Sequence, residues 1–350
     1  MFGVLWSNLN ESYGAMNAPS SLQPVFEFAQ DSLIQFRFYS LLGFLFGIGF
    51  AVQLARAGQR GSDIRNLFWR RMAVLLAIGM VHGLLIWHND VLTEYALLGM
   101  VLVFFRRLSP RLLLWTAAIL TVAVPYLMHL ASPALGRTFP PLHTPPEVDW
   151  IYAHGSFSGI VAEGARSYLN WYCRWFPLIW PSFLALFVLG LWAVRVDLFK
   201  RLMAKRTRLL GVLAGATAVT LAGRALPPVG PWVRDLVIWS NAAAYAAALA
   251  LVVSTPAGAR RLTPLAAVGR MSLTTYLAQS IVSVLLFYHY GLGWYGRVSL
   301  AGMFAITILV FALQMAASVW WLRRYRFGPV EWLWRSAAYG KCQPMRREPA

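Results

Sequence analysis

Two polar clusters interrupt an otherwise apolar chain, and their residue types could do acid–base chemistry. The first is GMVHGLLIWHNDVLTEYALLG, residues 79–99, in which His82, His88, Asn89, Asp90, Glu94 and Tyr95 gather around a short turn between two apolar runs. An imidazole titrates near pH 6.5, so His82, set inside the first run beside Gly83, could accept a proton at neutral pH. A histidine held in a structural hydrogen bond fits the same pattern. Asn89 or Asp90 could cap the second helix, and Asp90 and Glu94 lie one turn apart at its N-terminal end, where the helix dipole favours negative charge.

The second cluster is GRMSLTTYLAQSIVSVLLFYHYGLG, residues 269–293. Ser272, Thr275, Tyr276, Gln279 and Ser283 recur at steps of three and four, which puts them on one helical face. Polar groups in hydrocarbon must face partners or water, so that face is expected to look into a bundle. It suits a hydrogen-bond network and a substrate path equally. Arg270 at its start is either a topological charge or an anion contact. No metal is expected: His82 and His88 do not share a helical face, and no Cys or His set accompanies them. His143 and His154 have no motif around them, and neither GxSxG nor a P-loop occurs.

The elements that position these residues follow from composition. Of the 350 residues 59% are hydrophobic and 13% charged, with a mean hydropathy of +0.56. A transmembrane helix needs about 20 mostly apolar residues. Such runs occur near residues 38–55, 70–87, 91–105, 112–131, 176–194, 209–226, 236–254, 273–290 and 299–322, the third short and the sixth rich in Gly and Ala. The expected fold is an all-α polytopic transmembrane bundle of nine complete spans.

Charge supports that count. Arg56 to Arg71, Arg106 to Arg111, Arg195 to Arg208, Arg260 to Arg270 and everything from Arg323 onward fall on alternate loops. Together they hold all but seven of the 31 bases and only four of the 13 acids, Asp63, Asp197, Glu331 and Glu348. This is the positive-inside pattern, and it makes the basic side and the C-terminus cytoplasmic. The net charge of +18 is thereby assigned to topology and lipid headgroups rather than nucleic acid. Membrane lipids are the expected partners, together with a small-molecule substrate, and a homo-oligomer is compatible with the pattern. Cys173 falls outside and Cys342 inside, so no disulfide is expected.

Residues 1–35 hold an apolar start, MFGVLWSNLN, and an external segment. The start reads as the outer half of a tenth helix, with the chain beginning downstream of its true start. A short stretch lying on the lipid surface is the alternative. Residues 36–131 form a four-span half, residues 132–175 an external loop, residues 176–322 a five-span half and residues 323–350 a cytoplasmic tail. The loop holds FPPLHTPPEVDW, whose prolines exclude a regular helix, and then SGIVAEGARSYLNWYCRWF, which suits an interfacial helix. In the first long span Gly43 and Gly47 permit close helix approach, and Gly49 extends the thin region. In the tail, RFGPVEWLWRSAAYGK reads as an interfacial anchor. Pro329 opens a helix, Glu331 sits at its positive end within reach of Arg335, and Trp332, Trp334 and Arg335 lie at headgroup level.

GRMSLTTYLAQS, YGLG and the RFGPVEWLWRSAAYGK ending, preceded by FLFGIGFA and HGLLIWHNDVLTEYALLG, resemble the YeiB-like bacterial inner-membrane proteins, whose C-terminal half is the domain of unknown function 418. The resemblance runs from about residue 36 to residue 341. Asn89 stands where the family usually has Gly, and the family's segment before the first span is missing. The resemblance implies an inner-membrane location and a layout similar to membrane-embedded acyltransferases. It thus implies that no cofactor is permanently bound and that an acyl donor such as acetyl-CoA meets an acceptor from outside. In that mechanism His82 is the base or acyl carrier and Asp90 orients it. Glu94, Tyr95, Arg270, Tyr276 and Gln279 line the route. The competing implications are a solute pathway through the same polar interior and a membrane scaffold without catalysis.

Overall fold

Long apolar runs with few helix breakers have one way to satisfy their backbone in hydrocarbon, and the chain takes it. A computed structural model describes residues 1–13, 23–30, 34, 37–59, 65–131, 145–225 and 231–347. Arg60, Asp63, His143, Glu348 and the first part of the proline-rich loop lie outside them. The helices in order are α1 Phe2–Ser12, α2 Gln23–Ala29, α3 Arg37–Gln59, α4 Arg65–Leu85, α5 Leu92–Leu102, α6 Pro110–Ala118, α7 Val124–Ala131, α8 Pro146–His154 and α9 Phe157–Asn170. They continue with α10 Phe176–Arg195, α11 Leu198–Met203, α12 Arg206–Ala225, α13 Pro231–Val253, α14 Pro256–Arg261, α15 Thr263–Arg270, α16 Ser272–Phe287, α17 Leu300–Arg324 and α18 Pro329–Tyr339. Starts follow local chemistry: Ser109 and Ser299 accept the N–H groups of Leu112 and Gly302, and Pro110 and Pro329 sit in first turns.

Among the described residues, five helices are long and apolar enough to cross a membrane: Arg37–Arg56, Arg65–Leu85, Pro110–Leu127, Val233–Val253 and Leu300–Arg324. A sixth would come from α9 and α10, which are bent by 79°. The remaining expected runs take other forms. α12 has 20 residues but is rich in Gly and Ala, α16 has 16 residues, and α5 has 11 before it tightens into a 3₁₀ turn over Val103–Arg107.

Glycine decides one packing. The pairing of Gly43 with Phe187 and of Gly47 with Phe187 and Gly190 makes α3 and α10 run side by side in the same direction. A Cβ on Gly47 would lie 2.0 Å from the Phe187 carbonyl oxygen, and one on Gly190 would lie 2.2 Å from that of Phe44. These contacts are backbone on backbone and have nothing flexible to give way. Gly47→Val is expected to cost about 1–3 kcal/mol, the usual range for overpacking, and to lower the unfolding midpoint of purified protein in detergent. A Cβ on Gly49 would meet nothing within 4 Å among the described residues, so Gly49 does not extend this contact.

α1 packs inside the bundle against α16 and α17, with Val4, Leu5, Trp6 and Leu9 at most 1% exposed. This arrangement differs from a segment lying on the lipid surface. The apolar interior has two parts. One gathers α3, α4, α5, α6 and α10, and the other joins Trp6, Tyr13, Trp87, Tyr152, Phe287, Tyr288 and Tyr295 around the turn after α4.

Candidate functional site

The turn between α4 and α5 folds back into the bundle. Trp87 donates its backbone N–H to the His82 carbonyl at 2.9 Å, closing α4, and the chain returns so that α5 starts level with Gly79. Gly79 permits this approach, since a Cβ there would lie 2.6 Å from the Thr93 nitrogen and 2.9 Å from Asp90 Oδ2. His82 therefore sits in the last turn of α4, three turns or ~16 Å along the helix from Arg71.

Asp90 combines the two roles open in the sequence. Its Oδ2 accepts the Thr93 N–H at 2.7 Å and caps α5, while Oδ1 lies 2.8 Å from His82 Nδ1. Both residues are buried, at 3% and 1% exposure. An acceptor-only carboxylate puts the imidazole proton on Nδ1 and leaves a lone pair on Nε2. Nε2 is itself buried and, among the described residues, has no hydrogen-bond partner. That arrangement fits a poised base.

The other sequence candidates divide. Tyr276 is brought to the pair: its ring lies 5.3 Å from the His82 ring, its hydroxyl accepts the Val91 N–H at 3.2 Å, and it reaches the Asn89 carbonyl at 3.4 Å. Glu94 is buried beside it and accepts the Trp171 indole N–H at 2.8 Å. Tyr95 turns away and donates to the Tyr39 carbonyl on α3 at 3.0 Å. Gln279 joins α16 to α17 through Gln314 at 2.8 Å, with its own Oε1 buried and without a partner among the described residues. Thr275, Ser280 and Ser283 are buried with it, while Ser272 is exposed. Arg270 is exposed at the end of α15 and does not touch the His82–Asp90 pair.

Sequence reasoning missed the roof. α9 and the π-helical turn Trp171–Trp175 bring Tyr168 to Thr93 Oγ1 at 2.8 Å, Trp171 to Glu94, and the Tyr172 hydroxyl to the Asp90 carbonyl at 2.8 Å. Gly83 makes room, because a Cβ there would lie 2.2 Å from the Tyr168 ring. The available signal was SYLNWY, three aromatics at helical spacing in a segment that suits an interfacial helix.

Beyond the pair lies an aromatic layer. Tyr152 stacks on Tyr288 at 4.8 Å and on His88 at 5.6 Å, and its hydroxyl pairs with His88 Nδ1 at 3.1 Å. Desolvation pushes the His88 imidazole down to about 4, so it is neutral at physiological pH. The Tyr295 hydroxyl donates to Asp149 at 2.6 Å. A cleft of about 10 Å³ lined by Gly83, Trp87, His88, Ile160 and Tyr288 enters here, room for about one water. Among the described residues no group of three His, Cys, Asp or Glu could hold a metal ion.

Glu331 is the main correction. It is buried, and its Oε1 accepts the N–H groups of Leu273 and Thr274 at 2.6 and 3.0 Å, while Oε2 accepts the Thr274 hydroxyl at 2.5 Å. It caps α16 instead of pairing with Arg335, whose guanidinium lies 4.6 Å from the Phe327 ring. The indole N–H of Trp332 donates to the Gln343 carbonyl and that of Trp334 to the Arg71 carbonyl, with the Arg71 guanidinium over the Trp334 ring at 4.7 Å. α18 is thereby clamped to α4 and α16, one turn from Tyr276.

Residues 192–341 match the family described as Protein of unknown function (DUF418). The chain is 33% identical over 335 residues to the uncharacterized protein YxaH of Bacillus subtilis (strain 168), covering 90% of this chain and 82% of the relative. The chain belongs to the YeiB-like DUF418 family. Two further relatives have similar reach. The uncharacterized protein YeiB of Escherichia coli (strain K12) is 28% identical over 344 residues, 90% of this chain and 84% of the relative. An uncharacterized 39.9 kDa protein in the amylase 3' region of Bacillus acidopullulyticus is 26% identical over 337 residues, with 89% and 82% covered. No solved structure matches the chain. Within this DUF418 protein the matched residues include α16, α18 and Glu331, but the His82–Asp90 pair lies before them.

Proposed function

We propose that this DUF418 protein is a nine-span bacterial inner-membrane acyltransferase with a cytoplasmic C-terminus, moving an acyl group from a cytoplasmic acyl-CoA-type donor to an acceptor that enters from outside. The observation that carries the reading is the buried His82–Asp90 pair, whose Nε2 has no hydrogen-bond partner among the described residues. His82 Nε2 takes the proton of an acceptor hydroxyl as the oxygen attacks the thioester carbonyl. The carbon–sulfur bond breaks, and the thiolate leaves with the proton from the imidazolium. Asp90 fixes the tautomer and offsets the charge that forms on the ring. Tyr276 closes one side of the imidazole, and the Tyr168, Trp171 and Tyr172 roof holds the α5 end in place.

The aromatic layer matters to this reading. It excludes bulk water, which would otherwise hydrolyse the donor, and the narrow cleft means an acceptor larger than water enters only when Tyr288 and the α9 roof separate. The deciding experiment incubates purified full-length protein in detergent with radiolabelled acetyl-CoA and a membrane-lipid and sugar extract. Transfer of label to an acceptor is the expected result. Solute movement in sealed vesicles without any transfer would replace this reading with a transporter.

A further inference from the structure

Away from the His82 site, an apolar groove of about 380 Å³ opens between α3, α10, α11, α12 and α13. That volume lies within the range of small-molecule sites. Its wall on α13 is an alanine stripe that includes Ala242, Ala243, Ala246 and Ala250, where the absence of larger side chains makes the space. Phe44 and Phe199 stand at one end with ring centroids 6.3 Å apart.

The rim has a different character. In α11, LFKRLM, Leu198, Phe199, Leu202 and Met203 line the groove, while Lys200 and Arg201 do not. The helix is therefore amphipathic about the groove itself. α12 begins RTR immediately after Lys205, and Arg208 donates to the Arg201 carbonyl at 2.6 Å, tying the two basic segments together. Lys200, Arg201, Lys205, Arg206 and Arg208 are all exposed, and Asp197, paired with Lys200 at 3.2 Å, is the one acid among residues 195–208. A long apolar slot beside a cationic rim matches a molecule with a hydrocarbon chain and an anionic head.

We infer that this groove binds an anionic glycerophospholipid, one acyl chain lying along the α13 alanines and the headgroup phosphate on the Lys200–Arg208 cluster. A second copy of the chain fits less well, since it would bring the same cations and a chain charge of +18. The site does not depend on the acyl-transfer reading, and its test reads lipid contact rather than turnover.

The experiment reconstitutes the full-length protein in phosphatidylcholine nanodiscs containing a minor fraction of phosphatidylglycerol with a diazirine midway along one chain. Adducts are mapped after irradiation. They are expected to concentrate on Ala242–Ala250, and Ala243→Trp, which fills the groove from an exposed position, is expected to remove them. Neutralising Lys200 and Arg201 to Gln is expected to lower labelling roughly fivefold per charge, the effect of a basic residue near an anionic surface, whether or not the Trp variant folds. Adducts spread evenly over α6 and α17 would overturn the proposal, as would equal labelling by the phosphatidylcholine analogue. Protein–protein cross-links replacing lipid adducts at this face would assign the groove to a second copy instead.

Discussion

His82→Gln is expected to reduce the proposed acyl transfer about 10²–10⁴-fold, the usual contribution of a positioned general base, while leaving the KM for the acyl donor unchanged. Glutamine keeps a donor for Asp90 Oδ1 and fills much of the same volume, so the bundle should unfold at nearly the same temperature. Asp90→Asn is expected to lose a similar factor by a different route. Its amide oxygen can still accept the Thr93 N–H, but its NH₂ must then point at His82 Nδ1. That moves the imidazole proton to Nε2, which becomes a donor and can no longer act as a base. The pair is read by steady-state kinetics beside thermal unfolding. A purely structural histidine would lower the unfolding midpoint and leave the turnover of the folded fraction intact.

The second large effect is expected at Glu331, far from that chemistry in sequence. Glu331→Ala removes the acceptor of two backbone N–H groups and one hydroxyl at the buried start of α16, together with a negative charge at the positive end of that helix. Hydrogen bonds to charged groups and the cost of leaving buried donors unpaired together give a loss of about 3 kcal/mol or more. Glu331→Gln keeps one carbonyl oxygen for the backbone donors and should lose roughly half of that. Gly328→Ala should resemble the alanine variant, because its Cβ would lie 2.1 Å from Glu331 Oε2. Unfolding midpoints in detergent for the three variants check the ordering. Equal stability of Glu331→Ala and the parent would remove the cap from the account of the fold.

Much of the architecture could be read from the sequence. Apolar runs and alternating basic loops dictate a helical membrane protein, since hydrocarbon leaves the backbone no other open choice. Periodicity turned Thr275, Tyr276, Gln279 and Ser283 inward as expected, whereas Ser272, placed on the same face, is exposed. The residues alone gave Asp90 a capping role, and its pairing with His82 came only from what the family resemblance implies.

Periodicity reports which face is buried and is silent about what that face meets. The partners of Glu331 lie 57 and 58 residues away, Tyr172 reaches Asp90 across 82 residues, and Tyr276 reaches Val91 across 185. No local spacing encodes such contacts, so the sequence alone places Glu331 at the interface beside Arg335 and the Tyr168–Tyr172 segment in an interfacial helix. The contact within the turn was hidden for the same reason, since only the close approach of α5 to Gly79 brings Asp90 beside His82. The sequence by itself determined that this chain is a helical membrane protein and which side chains must avoid lipid. The tertiary structure alone decided which of those side chains share a hydrogen bond, because helices far apart in the chain choose their neighbours by packing.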